Sequence, residues 1–131
     1  MRELSGHKVN PVNDKLVVLA EDELGPGGAP HHYEIQIPLP QDPGEVGKIP
    51  QSARTIDIDF QKGPIAEVGV NGLTQEALIA VIIDRFEHFQ RGQFANGYNA
   101  RALEHLQAAQ SALLDRTKDR VRRGVEGYNR T

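Results

Sequence analysis

The chain of 131 residues contains no cysteine. That excludes a disulfide framework, a thiolate nucleophile and cysteine-ligated zinc, and it agrees with a reducing cytosol. Long apolar runs are missing too. No stretch approaches the roughly 18 apolar residues of a membrane span, and the opening MRELSGHKVN lacks the apolar core of a secretory signal. Cytoplasmic action without a membrane partner is the resulting expectation. A glycine-rich phosphate loop, a Ser/His pair and an HExxH helix are also absent. The histidines do not repair that lack. His31 and His32 are adjacent and would point to opposite faces of a strand, while His88 and His105 fall on separate helices. No metal and no cofactor are expected. Asp57 and Asp59 share a strand face, the usual place for an acid pair, but at two-residue spacing they read more simply as a solvated face.

Positive charge is scarce where a nucleic-acid binder would need it. The net charge is −3. Residues 1–72 carry six Lys/Arg against eleven Asp/Glu, and residues 73–131 carry nine against seven. Non-specific DNA binding needs a broad basic surface, so DNA is not an expected partner. The basic residues concentrate in DRTKDRVRRGVEGYNR (Asp115–Arg130), a cluster scaled to one or two phosphates.

The pattern along the chain predicts an α+β fold. In the first third, Lys15–Ala20 and His32–Ile37 read as a β-hairpin across the breaker LGPGGAP, with Tyr33, Ile35 and Ile37 on one side. Pro38–Ser52 is rich in proline and glycine and reads as an irregular connection, a candidate lid or inter-subunit clasp. Ala53–Gln61 alternates, with Ile56, Ile58 and Phe60 facing one way. Lys62-Gly63-Pro64 reads as a turn and Ile65–Val70 as a return strand that is partly buried on both sides, making a second hairpin. Thr74 is a plausible N-cap for a helix over about Gln75–Arg91, whose stripe is Leu78, Ile82, Arg85/Phe86 and Phe89, widened by Ala77 and Val81. Gly92 would end it. A second helix is expected over about Asn99–Arg123, burying Leu103, Leu106, Leu113, Thr117 and Val121. The whole is one domain, β-rich over 1–72 and an αα-hairpin with a basic tip over 73–131, with the small antiparallel sheet packed against the hairpin. So thin a core leaves the helical stripe to an oligomer contact.

Arg116, Arg120 and Arg123 stand at i, i+4 and i+7 and share one helical face. Like charges at that spacing repel, and an anion relieves the repulsion through bidentate guanidinium forks. They could equally complement the helix dipole, with Asp115, Asp119 and Glu126 as counter-charges. Phe89 lies near the reversal, either as the last core residue of its stripe or as an aromatic on which a base stacks. Asn99 reads as the N-cap of the second helix, or as an amide that meets a base or ribose edge.

The block TIDIDFQKGPIAEVGVNGLTQEALIAVIIDRFEHFQ…NARALEHLQAAQSALLDRTKDRVRRGVEG (Thr55–Gly127) resembles the phage anti-Thoeris sponge family, first type, which shares its helical hairpin with anti-CBASS cyclic-nucleotide sponges. DFQKGPIAEVGVNG and RTKDRVRRGVEG carry the likeness most specifically, and Asn10–Ile35 is similar to the amino-terminal part of longer members. The resemblance implies a non-catalytic immune-evasion protein acting in the infected bacterial cytoplasm. It would hold glycocyclic ADP-ribose intact, in pockets at a homodimer interface, with hexamers in some members. Some relatives also hold cyclic di- or trinucleotides at a separate site. By the same resemblance Phe89 matches the base-stacking aromatic, Asn99 a polar ligand contact, and Arg116 with Arg120 the pair gripping the diphosphate; Arg123 shares their face. Two other readings stay open: a protein-interaction module that blocks a host defence protein, and a small phosphodiesterase using Asp57 and Asp59 with a histidine and a metal.

Overall fold

The computed structural model describes residues 1–9, 13–38 and 53–124. Most of the Pro38–Ser52 connection and the part of the basic tip beyond Gly124 lie outside the described residues. The chain divides into two compact units, Met1–Lys62 and Gly63–Thr131.

The first unit is an antiparallel sheet of four strands in the order β1-β2-β3-β4. They are β1 (Arg2–Leu4), β2 (Val17–Ala20), β3 (His32–Pro38) and β4 (Ala53–Asp59). The expected first hairpin is β2 with β3. Its connection is closed by Asp22, whose carboxylate accepts the backbone N–H groups of His31 and His32, each at 3.0 Å. Gly27 and Gly28 both sit at positive φ in the same connection, a conformation that L side chains resist. Register sorts the two faces. Val18 pairs with Ile35 and Ile35 with Ile56, while Ala20 pairs with Tyr33 and Tyr33 with Ile58. These residues therefore share one apolar face, to which Tyr33 and Phe60 add an edge-to-face ring contact at 5.7 Å. The opposite face carries His32, Glu34, Asp57 and Asp59. Ala20, 2% exposed, is the one buried residue of this unit among those described.

The expected second hairpin is corrected by the structure. β4 pairs with β3, with Gln36 opposite Thr55 and Glu34 opposite Asp57. Ile65–Val68 is a single helical turn, α1, rather than a return strand. The cause is local. Pro64 has no N–H to give a ladder and its φ of −66° presets a helix start, Ala66 and Glu67 favour helix over strand, and Gly69 ends the turn at φ 77°. Nor is this segment buried: Ile65, Val68 and Val70 are all exposed.

The second unit is dominated by α2 (Gln75–Arg91) and α3 (Gly97–Arg122), joined by a short reversal into an antiparallel hairpin. Thr74 caps α2 as expected, its hydroxyl accepting from the Ala77 N–H at 3.3 Å. Asn99 does not cap α3. Asn96 does, with extended backbone and a side-chain oxygen 2.8 Å from the Asn99 N–H. Two asparagines compete for this role, and Gly97-Tyr98 accept helical geometry, so the helix starts earlier.

The less exposed positions trace the seam between the helices. On α2 they include Glu76, Ile79, Ile83, Phe86 and Gln90; on α3, Asn99, Leu103, Leu106, Gln110, Leu113, Thr117 and Arg120. Three-and-four spacing on both helices is the signature of side chains meshing along a shallow crossing. Of the stripe expected on α2 only Phe86 lies on the inner row, while Ile79 and Ile83, which that stripe left out, belong to the seam. Ile83 is its buried centre at 7% exposed, whereas Val81 is 59% and Val121 60% exposed. α2 thus has two apolar rows, and Leu78, Val81, Ile82 and Phe89 form the outer one.

Ile83→Ala should destabilise the helical unit by about 2–4 kcal/mol, as buried large-to-small changes do. Val81→Ala should cost less than about 0.5 kcal/mol in a dilute monomer, where the side chain is already wet. Denaturant unfolding of both variants checks this, and equal losses would contradict the assignment of inner and outer rows.

Candidate ligand-binding site

The five expected contact residues all lie on the helical hairpin, but at its two ends. Phe89 is in the last turn of α2 and Asn99 in the first turn of α3, on either side of the reversal. A small polar network fixes this end. The Gln90 amide donates to the Asn96 carbonyl at 3.3 Å and accepts from the Asn96 N–H at 3.2 Å, and Asn96 in turn caps α3. Asn99 uses its backbone N–H in that cap, and its side-chain amide makes no hydrogen bond among the described residues. Gln90 and Asn96 were not singled out from sequence. The dipeptide Asn96-Gly97 was the available signal, since asparagine before a helix start is a capping pattern.

Phe89 is 37% exposed. One edge meets Phe86, with ring centroids 6.5 Å apart at 66°. The guanidinium carbon of Arg85 lies 5.3 Å from its centroid. Phe89 therefore belongs to the outer row, placed like a platform rather than sealed into the seam.

At the other end, α3 runs past the start of α2. It is 26 residues long against 17, an excess of about 13 Å. Arg116 and Arg120 occupy this end, Arg116 exposed and Arg120 half-buried. Asp119 binds Arg122 at 2.7 Å and Arg123 at 2.9 Å. The Arg122 hydrogen bond holds the Asp119 carboxyl below its ordinary value, opposed by desolvation and aided by the Arg123 and Arg122 charges. Of the three counter-charges expected for the cluster, Asp119 is directed at Arg122 and Arg123, and Glu126 lies outside the described residues. Arg116 has no ion pair among the described residues.

Asn99 and Arg116 are separated by about 25 Å along one rigid helix, and Asn99 and Arg120 by about 30 Å. A ligand the size of a dinucleotide cannot touch both ends of one hairpin. The structure does not bring Phe89 and Asn99 together with the arginines within one chain.

The first unit carries the acid pair. His32 Nδ1 lies 2.6 Å from Asp59 and its Nε2 3.6 Å from Asp57. The Asp59 hydrogen bond raises the His32 pKa above the usual 6.5, aided by the charges of Asp59, Asp57 and Glu21 and opposed by slight burial. Nearby, Glu21 is raised by its hydrogen bond with Glu34. No three His, Cys, Asp or Glu side chains converge as metal ligands would among the described residues. An open depression lined by Arg2, Asp22, Glu23, Leu24 and Pro30 shares no residue with the helical site. No helix among the described residues is long and apolar enough to cross a membrane.

The element that carries all five expected contact residues is the helical hairpin. The chain belongs to the Acb2/Tad1 family: its residues 52–117 match the Acb2/Tad1 hairpin domain. Over its full extent it is similar to Thoeris anti-defense 1 of Bacillus phage SBSphiJ7, 33% identical over 139 aligned positions covering 97% of each chain. The anti-Thoeris resemblance is thereby established as family membership.

The His32 cluster has a pH signature. Because His32 binds its proton more tightly in the folded chain, its contribution to stability is complete below about pH 6.5 and is lost as pH rises through the raised value. Ring-proton NMR should give a His32 midpoint above 6.5, and His32→Gln should flatten the loss of stability across that window. A midpoint at or below 6.5 would contradict the pairing of His32 with Asp59.

Proposed function

We propose that this chain is a non-catalytic phage immune-evasion protein that binds and sequesters a cyclic nucleotide messenger. The messenger is glycocyclic ADP-ribose, the signal of Thoeris defence, with cyclic oligonucleotides of CBASS as a second ligand class. Membership in an anti-defence family supports the role. The observation that carries the ligand reading is Arg116, an exposed guanidinium with no ion pair among the described residues, one turn from Arg120 on α3.

The working unit is a homodimer, with hexamers as a further level of assembly. Two hairpins laid antiparallel bring Phe89 and Asn99 of one copy beside Arg116 and Arg120 of the other, twice per dimer. The outer row of Leu78, Val81, Ile82 and Phe89 supplies apolar surface for that contact. Magnitudes favour this arrangement. A nanomolar complex needs about 12 kcal/mol. Exposed ion pairs contribute about 0–1 kcal/mol each, and a base on an aromatic ring adds about 1–3 kcal/mol. An open patch on one hairpin falls far short. Closure between two copies excludes water from the arginine forks and makes each worth more.

Holding rather than cleaving fits the side chains present. His32 is engaged by Asp59 at 2.6 Å and faces Asp57 at 3.6 Å, so its ring is already partnered within the sheet. Arg123, tied to Asp119, contributes less than Arg116 or Arg120.

A release assay tests the proposal. The purified chain is mixed with glycocyclic ADP-ribose and filtered, and the retained fraction is heated and analysed. Ligand missing from the filtrate and recovered intact is the expected result, with retention abolished by Arg116→Ala and reduced by Arg123→Ala only a few-fold. Cleaved ligand, or ligand left free in the filtrate, would contradict it.

A further inference from the structure

Arg85 interrupts the outer row of α2. Leu78, Val81, Ile82 and Phe89 surround it on that face. Its acidic neighbours face elsewhere, Asp84 towards His88 at 3.6 Å and Glu87 towards Arg91 at 3.7 Å. Arg85 itself has no ion pair among the described residues, and its contact is the ring of Phe89, 5.3 Å from guanidinium carbon to centroid. A cation over an exposed aromatic face is weakly held. The contact holds the guanidinium over the Phe89 ring without using its five N–H donors, so a base that stacks on that face displaces it with its donors free.

That placement is costly unless something answers the charge. An apolar row covered by a second copy takes Arg85 out of water, and a buried guanidinium without a counter-charge is strongly unfavourable. With Asp84 and Glu87 facing other partners, the counter-charge must come from outside the helix.

We infer that Arg85 is a third ligand-gripping arginine of the pocket, donating to a phosphate of the nucleotide whose base stacks on Phe89. The inference rests on the reading of Phe89 as the base platform. Arg85 and Phe89 are one turn apart, about 6 Å along α2. A base on the ring therefore leaves its own phosphate within reach of the guanidinium fork. Arg116 and Arg120 of the second copy approach the same diphosphate from the other side, and its oxygens suffice for both. Arg85 thereby selects a phosphorylated purine over a bare base or nucleoside, and the planar fork matters as well as the charge.

The test uses the full chain and glycocyclic ADP-ribose as probe, with calorimetry at low and high salt and mass measured in solution. Arg85→Ala should weaken binding about tenfold or more, leave the oligomer mass unchanged and make the loss of affinity with salt shallower. Arg85→Lys should fall between it and the unmodified chain. Binding by Arg85→Ala as tight as the unmodified chain or tighter would overturn the role. So would a loss of affinity accompanied by dissociation, which would make Arg85 an interface residue. If Phe89→Ala and Arg116→Ala lose binding while Arg85→Ala keeps it, this role alone fails. If the unmodified chain does not bind, the role fails together with the ligand reading beneath it.

Discussion

An α-helix advances 1.5 Å per residue and does not shorten, and that rigidity organises everything proposed to touch ligand. α3 carries Asn99 at one end and Arg116 and Arg120 at the other. The seam with α2 keeps it straight and antiparallel, which puts Phe89 at the Asn99 end. No rotamer change closes a gap of about 25 Å. In the proposed dimer the aromatic platform and the arginine grip come from two chains, which would make binding and assembly one equilibrium. A messenger bound across the interface stabilises the dimer by mass action, and a weakened interface lowers affinity without touching a contact residue.

The same economy shows in the distribution of apolar surface. Among the described residues only Ala20 and Ile83 are buried, while Val81, Ile82 and Phe89 remain exposed on the outer row. A hairpin of two helices has little interior, and a second apolar row on α2 is consistent with a partner that completes it. Arg85 in that row is the exception that points to an anionic guest. At the far end, Asp119 draws Arg122 and Arg123 to itself, while Arg116 has no ion pair among the described residues.

Much of this could be read from the residues. The first helix was bounded correctly at Gln75 and Arg91 because Thr74 and Gly92 are strong local stop and start signals. The β2–β3 hairpin followed from alternation around a glycine-rich breaker. β1 was missed, since three residues carry no periodicity. Ile65–Val70 was misread because a short apolar run looks alike as strand or helix, and Pro64 with Gly69 decided it. The two rows of α2 blur into one broad stripe until a neighbour fixes which is inside. At the site, like charges at i, i+4 and i+7 marked the arginines, but only geometry shows that Asp119 engages Arg122 and Arg123. The separation of Phe89 from Arg116 was latent in the helix lengths, and the roles themselves came from family likeness rather than pattern.

The most direct test is complementation between two inactive chains. Phe89→Ala and Arg116→Ala are purified separately, each without retention of glycocyclic ADP-ribose, then mixed and allowed to exchange subunits. A mixed dimer joins an intact Phe89 from one chain to an intact Arg116 from the other. The account predicts that retention returns on mixing, with one working pocket per mixed dimer. Subunit exchange with no recovery of binding would mean that the pocket lies within a single chain, and would contradict the shared site.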